Sequence, residues 1–349
     1  MLNTKQVVSL CKEHGFSLVG VADARKSKWS TEFEQWLQGG KHGEMAWLAN
    51  NVSLRLDPTL FVEGARSVIC VADRYGGAED EPLPPRHGRI ARYARGSDYH
   101  KVMKKRLHTV CDVLRAIDES FIFRVCVDTA PLFEREFAAA SGIGAIGKHT
   151  LLIDQSVGSW LMLGAIVTTA PLEPTGDNIE IDPCGSCTRC IDACPTDAIT
   201  PWSVDARACI SYLTIEHRNQ IEPKWFEGIG EWLFGCDICQ EVCPHNQQTE
   251  KTKVAEVRSE YKSNTVSLDL LEVLNWTEDD RRSAIRSSAM KRAKLDMFRR
   301  NAVIVAGNVL SKTQDKELHN KLVAIAQDTE EAEIVRAAEI RRASCRERV

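Results

Sequence analysis

No stretch of the 349 residues is apolar for the length that a bilayer crossing needs. The first residues, Met1-Leu-Asn-Thr-Lys-Gln, carry neither a basic segment leading into an apolar one nor a twin arginine. A membrane span and a secretion signal are therefore not expected, and the cytoplasm is the expected compartment. An excess of one charge is missing too: the net charge is -4 with a pI near 6.2, which excludes wholesale electrostatic binding of nucleic acid and leaves only a local basic face for it. A composition 43% hydrophobic and 27% charged excludes a disordered chain, and the length suits two or three domains.

Cysteine, by contrast, is abundant. In a cytosolic chain of this size, thirteen cysteines at close spacing point to metal rather than to disulfides. Five of them, Cys11, Cys70, Cys111, Cys126 and Cys345, fall singly and read as buried or incidental thiols. The other eight lie between Cys184 and Cys243. Cys184, Cys187, Cys190 and Cys194-Pro195 follow the C-x-x-C-x-x-C-x-x-x-C-P spacing of bacterial ferredoxins, and Cys236, Cys239 and Cys243-Pro244 repeat its last three cysteines. Two 4Fe-4S clusters are the natural reading. In two-cluster ferredoxins the fourth cysteine of each run serves the other cluster, so Cys184, Cys187 and Cys190 take Cys243, while Cys236 and Cys239 take Cys194. Leu233 stands where the second run's first cysteine would be, and Cys209 is the nearby thiol left to complete that set. Zinc is the competing reading, but its sites present paired C-x-x-C or cysteine with histidine rather than a three-cysteine run closed by C-P. Clusters that merely brace the fold would leave the rest of the chain without a task.

The first 170 residues or so read as α/β. Asn3 to His14 is an amphipathic helix, and Phe33 to Leu48 and His100 to Ile117 are further helices, the last with Val102, Leu107, Val110, Val113 and Leu114 as its apolar stripe. Strands are expected at Phe16 to Ala22, Ser67 to Ala72, Phe121 to Asp128 and Ser159 to Thr169. The last has too little polar alternation to face water, so the sheet is expected to be covered on both sides. Residues 76–88, rich in proline and charge, read as a surface loop. Asp128 ends its strand, where it is either a rigidly held functional acid or the cap of a helix over Leu132 to Ala140. The expected domains are 1–175, α/β; 176–255, the cysteine segment; and 256–349, all helical.

Two patterns mislead. Gly142-Ile-Gly144-Ala-Ile-Gly147-Lys148 fits a dinucleotide fingerprint, yet a helix rather than a strand precedes it, and His149 replaces the Ser or Thr of a P-loop. The glycines are expected to let backbone approach something closely. Asp98-Tyr-His100 begins like a cobalamin-module motif, but Met103 stands where that motif needs glycine, so His100 is not expected to ligate cobalt. In the C-terminal third, Arg299 to Asn308 and Ile334 to Ile340 place small apolar residues beside an arginine, as in HEAT-like helical repeats. Arg281 to Arg300 holds eight basic residues against one acid, which favours a polyanion contact over a merely solvated helix face. Ala343 to Val349 reads as a truncated or artefactual tail, with no role for Cys345.

Arg55-Leu-Asp-Pro58, Gly96-Ser-Asp-Tyr-His100, Val127-Asp-Thr129, Ser141-Gly-Ile-Gly144 with Gly147-Lys148, the cysteine array and Cys209-Ile-Ser-Tyr-Leu-Thr214 together resemble the epoxyqueuosine reductase family. The resemblance spans nearly the whole chain. It implies reduction of epoxyqueuosine to queuosine in the tRNA anticodon loop, by a reductive-dehalogenase-like cobalamin domain beside a ferredoxin-like two-cluster insertion. By matching motif positions, it implies Asp128 as the proton donor over the cobalt and Arg55, Ala91, Leu152, Leu163 and Ser211 as residues lining the corrin. To donate a proton, Asp128 needs a desolvated site that raises its pKa. An external electron donor, a single working chain, and an anticodon stem-loop held by Arg281 to Arg300 complete the expectation.

Overall fold

The computed structural model describes residues 2–76, 82–177, 181–247 and 257–338. Its first body is a four-stranded antiparallel sheet in the order Leu18–Asp23, Ser67–Arg74, Leu161–Thr168, Phe123–Cys126. Ser67–Arg74 is buried along its whole length, because successive side chains enter opposite cores. Ile69 and Val71 meet Val7 and Cys11 of the helix Thr4–Glu13 and Met103, Leu107 and Val110 of the helix Tyr99–Ile117. Val68, Cys70 and Ala72 meet Phe137 and Ala138 of the helix Glu134–Ala140, together with Leu152. The sheet is thus covered on both faces, as its unbroken apolar strands require.

Two helices differ from expectation. In Tyr99–Ile117 the buried line is Met103, Leu107, Val110, Cys111 and Leu114, whereas Val113 is 36% exposed because it falls off the three-and-four spacing of that line. The helix expected to reach Leu48 is Ser30–Gln38, with a separate turn at Ala46–Leu48. Gly39 follows it, and Gly40 and Gly43 adopt positive φ, which stops the helix. At Gly43 a Cβ would collide with the Tyr212 ring, and the Glu44 N–H donates to Tyr212 Oη at 2.7 Å. The chain break therefore seats a tyrosine of the cysteine segment.

The second core joins segments far apart in sequence. His87–Ile90 pairs in parallel with Trp232–Phe234 and antiparallel with Ser267–Asp269. Around this sheet pack the helices Ile210–Ile215, Leu270–Asn275, Leu295–Leu310 and Lys316–Gln327, so the cysteine segment and the C-terminal helices share one apolar interior. The C-terminal region, expected to be all helical, is helical from Leu270 on, but Ser267–Asp269 is a strand, because it pairs with His87–Ile90. The second partial repeat, Ile334 to Ile340, runs past the described residues, and the tail from Ala343 with Cys345 lies outside them, as do residues 77–81 of the expected surface loop. Among the described residues no helix is long and apolar enough to cross a membrane.

Candidate active site and cysteine centre

Asp128 follows the strand Phe123–Cys126 in the left-handed region, with φ of 57°. A neighbouring carboxylate holds that conformation: the Asp128 N–H donates to Glu134 Oε1 at 2.8 Å. Asp128 does not cap the helix it precedes, since Glu134–Ala140 has no side-chain cap. Its carboxylate instead meets His100, with Nε2 at 3.0 Å from Oδ2. His100 Nδ1 lies 2.8 Å from Oδ1 of Asp98, the N-cap of the helix Tyr99–Ile117. Two carboxylate acceptors require two N–H donors, so this imidazole carries both protons.

The electrostatics agree with that count. Burial alone would lower the His100 pKa, but hydrogen bonds and charge from Asp128 and Asp98 outweigh it and raise it to about 9. At Asp128, burial acts to raise the pKa, yet the hydrogen bond and charge of His100, with Arg135 and Arg292, hold the carboxyl below its usual value. Glu134 is raised to about 8, first by burial and then by the Asp128 charge. The expected neutral Asp128 is therefore corrected: here the proton resides on His100, because a cation is within hydrogen-bond reach and prevails over desolvation. The Asp128 side chain is 57% exposed, although protein groups ring it, which places it in a cleft open on one side.

Arg55, in Val52–Leu56, is brought to this cleft: it feels the charges of Asp128 and Glu134, stacks 5.7 Å from the Trp47 ring, and its buried Nε has no hydrogen-bond partner. Leu152 is buried on the core face, in the strand Leu152–Ile153. Leu163 is half-buried in the strand Leu161–Thr168, and Ala91 is buried where its N–H donates to Phe234 O at 2.8 Å. Ser211 opens the helix Ile210–Ile215, and its backbone N–H is directed to the Cys209 thiol.

The cysteines fall into two groups. Cys243 is within electrostatic reach of Cys184, Cys190 and Cys187. Cys209 interacts with Cys194, Cys236 with Cys239 and Cys209, and Cys239 with Cys209 and Cys194 and also with Cys190 of the first group, so the two groups lie side by side. Backbone N–H groups point at the sulfurs: Lys148 N lies 3.3 Å from Cys184 Sγ and Ala198 N 3.4 Å from Cys194 Sγ. Among the described residues no three His, Cys, Asp or Glu close on a point as a single ion requires. Cys184, Cys187, Cys190 and Cys243 line one cavity together with His149 and His245. Arg135 adds positive charge beside Asp128 and Glu134 and donates Nη1 to Thr150 O at 3.0 Å.

The basic stretch is only partly free. Arg300 is fully buried and donates to the carbonyls of Leu213, His217 and Asn219. Arg299 pairs with Glu331, Arg281 with Glu278, and Arg292 grips Glu216 with Nε and Nη2 both at 2.7 Å. Arg286, Lys291 and Lys294 are exposed. Arg292 also contributes to the lowered pKa of Asp128.

Sequence reading singled out His100 only as a residue not expected to ligate cobalt and missed its pairing with Asp128, and it missed Glu134 and Arg135 altogether. The available signals were an Asp two residues before His at a helix start, and Glu-Arg opening the helix after Asp128.

The family profile described as "Epoxyqueuosine reductase QueG, DUF1730" matches residues 55–129, and that of a 4Fe-4S double cluster binding domain matches residues 183–246. An epoxyqueuosine reductase of Leadbetterella byssophila is 38% identical over 304 residues, covering 86% of this chain and 98% of that protein. The structure of epoxyqueuosine reductase from Streptococcus thermophilus superposes with a TM-score of 0.85 at 26% identity, over 96% of this chain and 88% of that one. A crystal structure of an epoxyqueuosine reductase with an epoxyqueuosine-modified tRNA-Tyr stem loop gives 0.83 at 24% identity, with the same coverages.

Proposed function

The chain belongs to the epoxyqueuosine reductase family, and from that premise we propose how its residues reduce epoxyqueuosine to queuosine in tRNA. The enzyme is an oxidoreductase. Two electrons and two protons turn the epoxide into an alkene and water, so the site must supply both. The observation that carries the reading is the Asp128–His100 pair, an acid with a proton held beside it, in a chain whose cysteine segment matches a 4Fe-4S double cluster domain.

The segment 183–246 binds 4Fe-4S chemistry, and we assign two clusters: one to Cys184, Cys187, Cys190 and Cys243, the other to Cys194, Cys209, Cys236 and Cys239. The thiol groupings and the N–H groups aimed at their sulfurs support this. The clusters would supply single electrons taken from an external donor. For cobalamin, the fit rests on an open cleft over Asp128 and on the unpartnered buried Nε of Arg55. Arg55, Ala91, Leu152, Leu163, Ser211 and Asp128 would hold it, the apolar ones through their backbone or by shape. Bound there, cobalamin would supply a low-potential reductant at the epoxide carbon.

The chain's own part is proton delivery and positioning. His100 holds a proton on Nε2, shared with Asp128 Oδ2, and gives it up to Asp128 as Asp128 protonates the departing oxygen, which leaves a neutral imidazole; the second proton, which releases that oxygen as water, comes from solvent at the exposed side of Asp128. Glu134 fixes the Asp128 backbone through its N–H. The exposed Arg286, Lys291 and Lys294 hold phosphates of the anticodon stem-loop, whose splayed bases can enter a cleft that a duplex cannot. We take the working unit as one chain, in the cytoplasm.

The decisive experiment reconstitutes the protein anaerobically with iron, sulfide and cobalamin and supplies a chemical reductant and epoxyqueuosine tRNA. Queuosine in the digested nucleosides is expected. Unchanged epoxyqueuosine from a protein carrying clusters and corrinoid would overturn the reading.

A further inference from the structure

The glycine-rich stretch that imitates a nucleotide loop goes to the cysteines. It forms a hairpin of the strands Ala145–Ile146 and Leu152–Ile153, so tight that a Cβ on Gly144 would strike the Ile153 carbonyl. Its turn presents two side chains. The Lys148 ammonium donates to the carbonyls of Gly185 at 2.7 Å and Cys187 at 2.9 Å, tying the turn to the first cysteine run. His149 is 3% exposed and lines one cavity with Cys184, Cys187, Cys190 and Cys243.

The tautomer of His149 follows from its neighbour. The Leu151 N–H donates to His149 Nδ1 at 3.1 Å, so Nδ1 is the bare nitrogen of a neutral ring and the hydrogen sits on Nε2. That Nε2 is buried and has no hydrogen-bond partner. A buried donor without an acceptor is a costly arrangement that folded proteins avoid. The other imidazole lining the cavity, His245, already has a partner, its Nε2 lying 2.8 Å from Pro183 O.

We propose that His149 donates its Nε2 hydrogen to a sulfur of the cluster held by Cys184, Cys187, Cys190 and Cys243, and so raises that cluster's reduction potential. The inference rests on the two-cluster reading. Adding one electron increases the negative charge on the sulfurs, so an N–H donor stabilises the reduced state more than the oxidised one; no bond is made or broken. None of Cys194, Cys209, Cys236 and Cys239 lines the His149 cavity, so the potential of the second cluster stays as it is.

The test is an EPR-monitored redox titration of the reconstituted full chain. In His149→Phe, which keeps a ring but loses the donor, one midpoint is expected to fall by about three- to tenfold in the reduction equilibrium, tenfold being about 59 mV for one electron, while the other stays. His149→Gln retains an N–H donor and is expected to recover most of the fall. An unmoved midpoint in His149→Phe, or equal falls in both variants, would overturn the proposal. Where the Phe variant fails to assemble, 15N-histidine labelling decides: a ring-nitrogen hyperfine coupling to a reduced cluster should vanish in His149→Gln and persist in His245→Gln. Its absence from the unsubstituted protein would sink the idea. A chain that takes up no cluster defeats the cluster reading as well, whereas clusters with unmoved potentials defeat this proposal alone.

Discussion

His100 Nε2 stands 3.0 Å from Asp128 Oδ2, and the same ring is held from behind by Asp98 Oδ1 at 2.8 Å. The acid at the cleft is thus one end of a chain, carboxylate–imidazolium–carboxylate, whose far end is fixed by a helix cap. Asp98 accepts the His100 backbone N–H as well, so helix start and ring orientation are set together.

The pair dictates a pH profile. His100, raised to about 9, carries its proton through neutral pH and loses it as pH rises through that value, so turnover should fall there. In His100→Gln the cation that lowers the Asp128 pKa is gone. Asp128 must then carry its own proton, and the fall in rate should begin at a lower pH. An identical descending limb in kcat/KM for the variant would remove His100 from proton delivery. Stability follows the same linkage. The His100 contribution is complete below the ordinary histidine value, about 6.5, and is lost as pH rises through about 9. The Asp128 contribution is present above the ordinary carboxylate value and is lost as pH falls through its lowered one.

Asp128→Ala should reduce single-turnover conversion of epoxyqueuosine tRNA by roughly 10²- to 10⁴-fold, the usual contribution of a positioned acid, while leaving tRNA affinity in place. Wild-type conversion would eliminate Asp128 from the mechanism. Glu134→Gln keeps an acceptor for the Asp128 N–H and should retain most of the rate; Glu134→Ala releases the left-handed backbone and should lose far more. Equal rates in the two variants would contradict the positioning role.

The cysteine array, the four sheet strands and Asp128 at a strand end were legible because each has a local signature: fixed Cys spacing, an apolar run, an acid before a turn. The partners of Asp128 were not. His100 lies 28 residues away and Glu134 only six, yet neither carries a pattern that reports proximity in space. The same limit explains the basic stretch: a count of charges cannot tell that Arg300 points inward onto three carbonyls while Lys294 faces water. The glycine loop shows the converse. Its glycines do allow a close backbone approach, Gly144 to Ile153 and Gly142 to Gly176, whereas the link to the first cysteine run is made by Lys148, whose N lies 3.3 Å from Cys184 Sγ, and no local pattern reports it.

Cys209→Ser tests the completion of the second cluster by a thiol outside the repeated run. The variant should keep the cluster of Cys184, Cys187, Cys190 and Cys243 and lose the other, so iron and sulfide should fall to about half of a two-cluster content and one EPR signal should vanish. Full iron content with both signals unaltered would show that Cys209 is not a ligand.

Charge removal on the C-terminal segment should separate binding from folding. Lys291→Ala and Lys294→Ala alter exposed side chains, so melting should barely change, while tRNA affinity weakens and the slope of log K against log salt falls by about one for each phosphate no longer neutralised. Arg300→Met should behave in the opposite way. Its guanidinium satisfies the carbonyls of Leu213, His217 and Asn219 and bonds Asn301, so the variant leaves buried acceptors unpaired and should lose about 3 kcal/mol or more in chemical denaturation. Arg292 lies between these cases, because both ends of its fork are engaged by Glu216. Arg292→Ala should therefore change the salt slope less than Lys294→Ala does. A larger slope change for Arg292 than for Lys294 would mean that the Glu216 pair opens when tRNA binds and that the guanidinium holds a phosphate after all.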